Sequence, residues 1–240
     1  MRYAIFGDIH GNLDALDVVL GRIEKERVDE IACVGDIVGY AAEPSQCVKR
    51  IRELNCHAVA GNHEYAVLGK TDITFFNPDA LRSILWTKDH LPKDDVAWLN
   101  ELPLTVEHDD FTLVHGALHS PEYFDYIQTI YDAQLSFERL DSRVCFLGHS
   151  HVHVTFFDVN PIIYTLENEI TLMAGQKALV NVGSVGQPRD QNPLAAYAIF
   201  DTEDESVTIH RVEYDVEKAA EKIREAGLPD FNAERLFVGR

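Results

Sequence analysis

The apolar runs of this chain are short, and five of them end in a residue able to bind a metal. Ile5-Phe6-Gly7 ends at Asp8, with His10 two further on, and Ile31-Ala32-Cys33-Val34-Gly35 ends at Asp36. Ala58-Val59-Ala60-Gly61 ends at Asn62-His63, and Phe111-Thr112-Leu113-Val114 ends at His115. Val144-Cys145-Phe146-Leu147-Gly148 ends at His149, with His151 beyond it. Short apolar runs bounded by turn formers read as buried strands. Between the first three runs the period changes to that of a helix. Asn12 is placed to cap a helix whose Leu13, Leu16, Val19, Leu20 and Ile23 share one face. Pro44 opens a second helix with Cys47, Val48, Ile51 and Leu54 inward. Strands at 3–6, 29–34 and 58–60 therefore alternate with helices, and this order predicts a parallel sheet with right-handed crossovers.

Beyond residue 63 the pattern loosens. Residues 64–100 read as mostly helical, with Asn77-Pro78 as a start signal and Leu81, Ile84 and Leu85 on one face. The runs 104–107 and 111–114 flank His108-Asp109-Asp110 and predict a hairpin. Residues 117–130 lack periodicity and read as a loop or lid, and 132–140 reads as a helix. Strands are expected at 143–147, 153–158, 161–167, 178–183, 195–201 and 206–212, with a turn at Asn160-Pro161. Asp215 precedes a helix with Val216, Ala219, Ala220 and Ile223 on its face, stopped by Gly227 and Pro229, and a short helix follows near 231–237. Units of β and α followed by antiparallel strands give an α/β fold. Its expected form is two mixed β-sheets packed as a sandwich with flanking helices, in one domain over 1–240.

Composition narrows the function classes. Asp and Glu number 40 against 21 Lys and Arg, a formal net charge of -19. Such a chain is poorly suited to extended nucleic-acid binding, which relies on Lys and Arg. Phosphate chemistry stays open, because bound metals supply positive charge locally. The cysteines, Cys33, Cys47, Cys56 and Cys145, form no C-x-x-C pair, so a thiolate zinc site is not expected. Cys33 and Cys145 lie in strand-like runs and read as buried hydrophobes. No signal peptide and no membrane span is expected, and the predicted location is the cytoplasm.

Taken singly, Asp8-x-His10, Gly35-Asp36, Gly61-Asn62-His63-Glu64, His115-Gly116 and Gly148-His149-Ser150-His151 each read as a turn or a cap. Together they deliver oxygen and imidazole ligands to the carboxyl ends of five strands, where ligands of α/β sheets sit. Gly precedes the ligand in four of the five and lets the backbone approach closely. Mixed His, Asp and Asn donors suit Mn, Fe, Zn, Co or Ni better than an all-oxygen Mg or Ca site.

In this order the five motifs resemble those of the calcineurin-like metallophosphoesterase superfamily. Asp8-Ile9-His10-Gly11-Asn12 and Asn181-Val182-Gly183-Ser184-Val185-Gly186-Gln187-Pro188-Arg189 look most like its small bacterial and archaeal phosphodiesterases and phosphatases. The resemblance implies a four-layer sandwich and two divalent transition-metal ions, manganese foremost, with Fe, Zn, Ni or Co as alternatives. It implies that Asp8, His10 and His151 hold one ion, that Asn62, His115 and His149 hold the other, and that Asp36 bridges them. His63 would bind no metal and would act on the substrate, as general acid toward the leaving oxygen or as a stabiliser of developing charge. The implied reaction is in-line attack of metal-bound hydroxide on a small phosphodiester or phosphomonoester, with nucleotides among the candidates. Two ions against Asp8, Asp36 and one hydroxide leave roughly one positive charge for the phosphoryl group.

The run Gly35-Asp36-Ile37-Val38-Gly39-Tyr40 lacks the Asp-Arg-Gly of the protein phosphatases. That argues against protein serine/threonine phosphatase activity and leaves Arg189 as the candidate phosphate contact, with Asn181 and Ser184 in the same loop. A non-catalytic protein-binding scaffold is the other alternative, and the complete motif set argues against it. The aromatic stretch Tyr123 to Tyr131 reads either as a loop anchored by its own rings or as a wall able to stack a nucleobase or aryl group. Glu64 is expected to brace the helix start. His57, His90, His108 and His210 read as surface or satisfied histidines, while His119 and His153 lie near the motifs. Oligomeric state is left open by the sequence.

Overall fold

A computed structural model describes residues 1–240, apart from the side chain of Phe75. The first half alternates strand and helix: β1 (Arg2–Phe6), α1 (Leu13–Ile23), β2 (Glu30–Cys33), α2 (Pro44–Leu54), β3 (His57–Ala58) and α3 (Asn62–Val67). Next come α4 (Pro78–His90), α5 (Lys93–Glu101), β4 (Thr105–Glu107), β5 (Thr112–Val114), α6 (Ile130–Phe137) and β6 (Val144–Leu147). Then follow β7 (Val154–Phe157), β8 (Ile163–Thr165), β9 (Glu169–Thr171), β10 (Ala178–Asn181), β11 (Ala195–Asp201) and β12 (Ser206–Val212). The chain continues into α7 (Val216–Glu225) and α8 (Asp230–Glu234).

The strands form two six-stranded sheets, ordered β3-β2-β1-β11-β12-β9 and β4-β5-β6-β10-β7-β8. In the first, β1, β2 and β3 run parallel; in the second, β5, β6 and β10 do. The strand period of two decides which residues meet. Tyr3 and Ile5 of β1 point between the sheets and pack with Phe111, Leu113, Val144, Phe146 and Val180. Ala4 and Phe6 point the other way, onto the helices carrying Leu16, Val48 and Ile223. On the far side, Cys145, Leu147 and Leu179 meet Ala133 and Phe137 of α6. The result is a sandwich of two mixed sheets with helices outside. Aromatic rings lock its centre: Tyr3 meets Phe111 edge-on at 5.0 Å, and Phe146 lies 5.5 Å from Phe200.

Capping follows the local sequence. Asn12 Oδ1 accepts from the Ala15 amide at the start of α1, and Asn77 Oδ1 accepts from Ala80 at the start of α4. The described fold departs from the sequence expectation in four places. The third strand is His57–Ala58, because the Ala60 amide leaves the ladder and donates to Pro103 O at 2.8 Å. In α4 the inward face is Ala80, Ser83, Ile84 and Thr87, while Leu85 is 48% exposed, one residue and so 100° round the helix from Ile84. Strand β9 was not anticipated; of its three residues only Ile170 packs inward, too short an apolar signal to register. Helix α6 begins at Ile130 rather than 132, since Thr129 and Asp132 form a capping box.

Phe146 is fully buried where the two sheets meet. Phe146→Ala is expected to cost on the order of 3–5 kcal/mol, read as a lower urea midpoint with an unchanged slope.

Candidate active site

Five strand ends meet at one rim. Asp8 and His10 follow β1, Asp36 follows β2, Asn62 and His63 follow β3, His115 follows β5, and His149 and His151 follow β6. Asp8, His10, Asp36, His149 and His151 all have positive φ, between 50° and 68°. For residues with a Cβ this left-handed turn costs about 1–3 kcal/mol each. It is what swings each side chain off its strand and into the rim. Backbone bonds hold the turns together: the Ile9 and His10 amides both donate to Asp36 O, at 2.8 and 2.9 Å. Two glycines are required by proximity. A Cβ on Gly61 would stand 2.1 Å from Asp36 Oδ1, and one on Gly148 would stand 2.3 Å from Asp8 Oδ2.

The ligand atoms fall into two clusters sharing one carboxylate. Asp8, His10, Asp36 and His151 bring donor atoms within 4.8 Å of one another, and so do Asp36, His115 and His149. Asn62 Oδ1 joins the second cluster, 3.2 Å from His115 Nε2. Hydrogen bonding fixes the tautomers. Nδ1–H of His10 donates to Val38 O at 3.2 Å, that of His151 to Gln187 O at 2.6 Å, and that of His115 to Val34 O at 2.7 Å. The Nε2 atoms of His10 and His151 are left as acceptors. The Nε2 atoms of His10 and His151 face each other at 2.9 Å, with Asp8 Oδ1 3.3 Å from the latter. Lone pairs pointed at lone pairs in a buried site repel unless a cation lies among them, so these residues fit metal ions. All of the residues named are buried except Asn62, which is half-buried.

Electrostatics agree with neutral imidazoles at His10, His63, His149 and His151 in the ion-free protein. Burial, reinforced by neighbouring imidazoles, pushes His10 and His149 well below the ordinary histidine value. Burial likewise lowers His151, and it sets His63 at about 4. Burial would raise Asp36, but the surrounding histidines, His115 foremost, hold it well below the usual carboxylate range. His115 goes the other way: burial opposes its charge, yet Asp36 at 3.2 Å pulls it up to about 9. His63 lines the cavity beside the clusters, and its Nδ1 is buried without a partner. Its backbone amide donates to Asp36 Oδ1 at 2.9 Å, which ties the start of α3 to the shared carboxylate.

A layer of polar side chains supports this rim. Glu64 is fully buried and accepts from four amides, those of Asp36, Ile37, Val38 and Gly61, at 2.8–3.1 Å. It therefore braces the Asp36 turn as well as its own helix. Burial and the nearby Asp36 push its carboxyl up to about 7 despite those donors. Asn181 and Ser184 also turn out to be braces. Asn181 Nδ2 donates to Gly148 O and to Ser150 Oγ, and its Oδ1 accepts from the Gly183 amide. Ser184 Oγ donates to Asp8 O at 2.7 Å and accepts from the Gln187 amide at 2.8 Å. Both residues are buried, with these polar atoms engaged in holding the turns. Arg189 does reach the rim: its guanidinium lies 5.5 Å from the Tyr40 ring centre and donates to Gln187 Oε1 at 2.8 Å.

The remaining histidines stand apart from the rim. His57 and His108 gather at Glu30, His90 stacks on Trp86, and His210 stacks on Tyr197. His119 meets Ser136 Oγ at 3.3 Å, and His153 is engaged by Asp190 and Leu166 O. Three contributors carried no sequence signal as site residues. Tyr40 lies 4.7 Å from His10 and 4.6 Å from His63, ring centre to ring centre. Gln187 orients His151 through its backbone carbonyl. Asn232, almost two hundred residues on in the chain, donates to Tyr40 O at 3.2 Å.

Known proteins resemble this chain to different extents. The sequence profile of the calcineurin-like phosphoesterase superfamily domain matches residues 1–205. An uncharacterized protein of Methanocaldococcus jannaschii is 42% identical over 99% of this chain and 98% of its own. The crystal structure of a metallophosphoesterase from Sphaerobacter thermophilus superposes with a TM-score of 0.89 at 37% identity, covering 100% of this chain and 99% of the other. A symmetrical bis(5'-nucleosyl)-tetraphosphatase of Vibrio parahaemolyticus is 28% identical over 50% of this chain and 45% of its own. The chain belongs to the calcineurin-like phosphoesterase superfamily. Among the described residues, no helix is long and apolar enough to cross a membrane.

The buried histidines make an acid-sensitive ion-free protein. His63 titrates at about 4 folded, against an ordinary 6.5. Between those values the unfolded chain binds a proton that the folded chain refuses, so this contribution is intact above pH 6.5 and is lost as pH falls. Glu64, raised on folding, acts in the opposite sense, so the comparison needs a variant. In chelator, the stability of the native protein relative to His63→Gln should fall by about 1.4 kcal/mol per pH unit from 6.5 toward 4. A pH-independent difference in urea unfolding would contradict this.

Proposed function

We propose that this superfamily member hydrolyses a small phosphate ester, a diester or a monoester, with two divalent transition-metal ions. Manganese is the foremost candidate, with Fe, Zn, Ni and Co as alternatives. Asp8, His10 and His151 would hold one ion, Asn62, His115 and His149 the other, and Asp36 both. The observation that carries this reading is the sharing of Asp36 between two clusters of inward-facing acceptor atoms. Such ions, when bound, lower the pKa of water and neutralise charge on phosphoryl oxygens.

The chain's own contributions follow from position. The Nδ1–H bonds to Val38, Gln187 and Val34 fix three imidazoles before any ion arrives, so little reorganisation accompanies binding. His63 lines the cavity and, being neutral near pH 7, offers one N–H. It serves as a hydrogen-bond donor to the oxygen on which charge develops, the leaving oxygen in an in-line displacement. Arg189 makes no ion pair with a carboxylate among the described residues, and its Nε is buried without a partner. It would take a phosphoryl oxygen of the substrate.

Hydrolysis of an aryl phosphodiester by protein reconstituted with Mn, Ni or Zn tests the reaction. His63→Ala should keep its metal by elemental analysis and lose on the order of 10²–10⁴ in turnover. Asp36→Ala should lose metal. Full turnover in the first variant would remove His63 from the chemistry, and a full metal load in the second would remove Asp36 as the shared ligand.

A further inference from the structure

Beside the metal-binding rim lies an open cavity of about 300 Å³, and its outer wall is aromatic. One side is the rim itself, with Asn62, His63 and His149. The other side is made by Phe76, from the segment before α4, and by Tyr123 and Tyr126, from the 117–130 loop. The Tyr126 ring lies flat on His149, with centroids 4.0 Å apart and planes 16° apart, so the metal ligand covers one of its faces. Tyr126 is still 45% exposed, and Tyr123 is 72% exposed.

These rings do not anchor their own loop; Phe124 does that. It is 6% exposed, meets Tyr65 edge-on at 5.1 Å, and lies 6.0 Å from His115. The Ala117 amide closes the base of the loop by donating to Asp125 O at 2.9 Å. Tyr126 is thus held by the anchored residues before it and by its stack on His149, and it lines the cavity. Phe76 stands 6.0 Å from His63 on the opposite wall. The hydroxyl-bearing Thr71 and the amide-bearing Asn77 complete the lining.

We infer that this cavity is a subsite for a nucleobase, and that the substrate is a nucleotide ester whose base stacks on Tyr126 while its phosphoryl group lies at the metal clusters. A planar π-face held rigidly next to the reaction centre suits a flat heterocycle, and stacking is worth most where the platform needs no ordering. A sugar phosphate or an alkyl ester would leave the two open tyrosine faces uncovered. Polar Thr71 and Asn77 match the hydrogen-bonding edge of a base, which a plain aryl group lacks. The placement rests on the hydrolytic reading of the adjoining clusters, but base binding itself does not require turnover.

Titration calorimetry of the intact protein with adenosine and with ribose separates the two. Adenosine should bind at least about tenfold more tightly than ribose. Tyr126→Leu and Phe76→Leu should each weaken adenosine about tenfold, and Tyr126→Phe, which keeps the ring, should restore it. Equal binding of adenosine and ribose would overturn the subsite, as would unchanged adenosine affinity in both leucine variants. Adenosine binding without hydrolysis of any phosphate ester would remove the proposed reaction and leave the subsite standing. Hydrolysis without selective adenosine binding would do the reverse.

Discussion

The constraint on which the rest of this structure depends is the crowding of acceptor atoms around Asp36. Buried nitrogens and oxygens with lone pairs turned toward one another do not form a stable arrangement in an ion-free protein. The His10 and His151 Nε2 atoms, 2.9 Å apart, show this most directly, since each ring has already committed its Nδ1–H to a carbonyl. Folding therefore has to hold together a site that in part repels itself, although Asp36 and His115 attract. The energy comes from elsewhere: from the aromatic and aliphatic core between the sheets, and from the helices packed on their outer faces.

The local means of holding the site is a layer of backbone acceptors and side-chain braces just beneath it. Glu64 gathers four amides, Asn181 spans the 148–150 turn, and Ser184 joins Asp8 O to the Gln187 amide. Each brace works on a turn whose ligand has positive φ, or on its neighbour. The strain of those turns and the braces that offset it are two halves of one device. Glycine supplies the third part, because Gly61 and Gly148 abut the two carboxylates so closely that no side chain fits between.

Much of this was legible in the sequence because strand ends obey a simple rule. A short apolar run delivers whatever follows it to the carboxyl edge of a sheet, so Asp8, Asp36, Asn62, His115 and His149 could be placed on a common rim before any coordinates. The helices of the first half followed equally from period and caps. What stayed illegible depends on contacts between distant segments. Nothing local distinguishes Ser184 as a brace from Ser184 as a substrate contact; the difference is a hydrogen bond to Asp8 O, 176 residues away. Leu85 faces solvent for a similar reason, as the helix face that wins is set by what α4 packs against. Strand β9 exists because β12 offers it an edge, and its own three residues carry almost no signal.

The family profile ends at residue 205, yet α8 beyond it reaches back to the rim. Asn232 Nδ2 donates both to Tyr40 O and to Ser83 Oγ, joining the loop that follows Asp36 to α4. Tyr40 in turn touches His10, His63 and Arg189, while the segment leading into α4 carries Phe76, on the aromatic wall. One buried amide thus ties the ligand-bearing turns to the loop that shapes the cavity beside them. Asn232 of α8 contacts both the turn after Asp36 and the helix that follows the Phe76 segment. The strand-end turns and the segment bordering the cavity are in this chain held by one buried side chain.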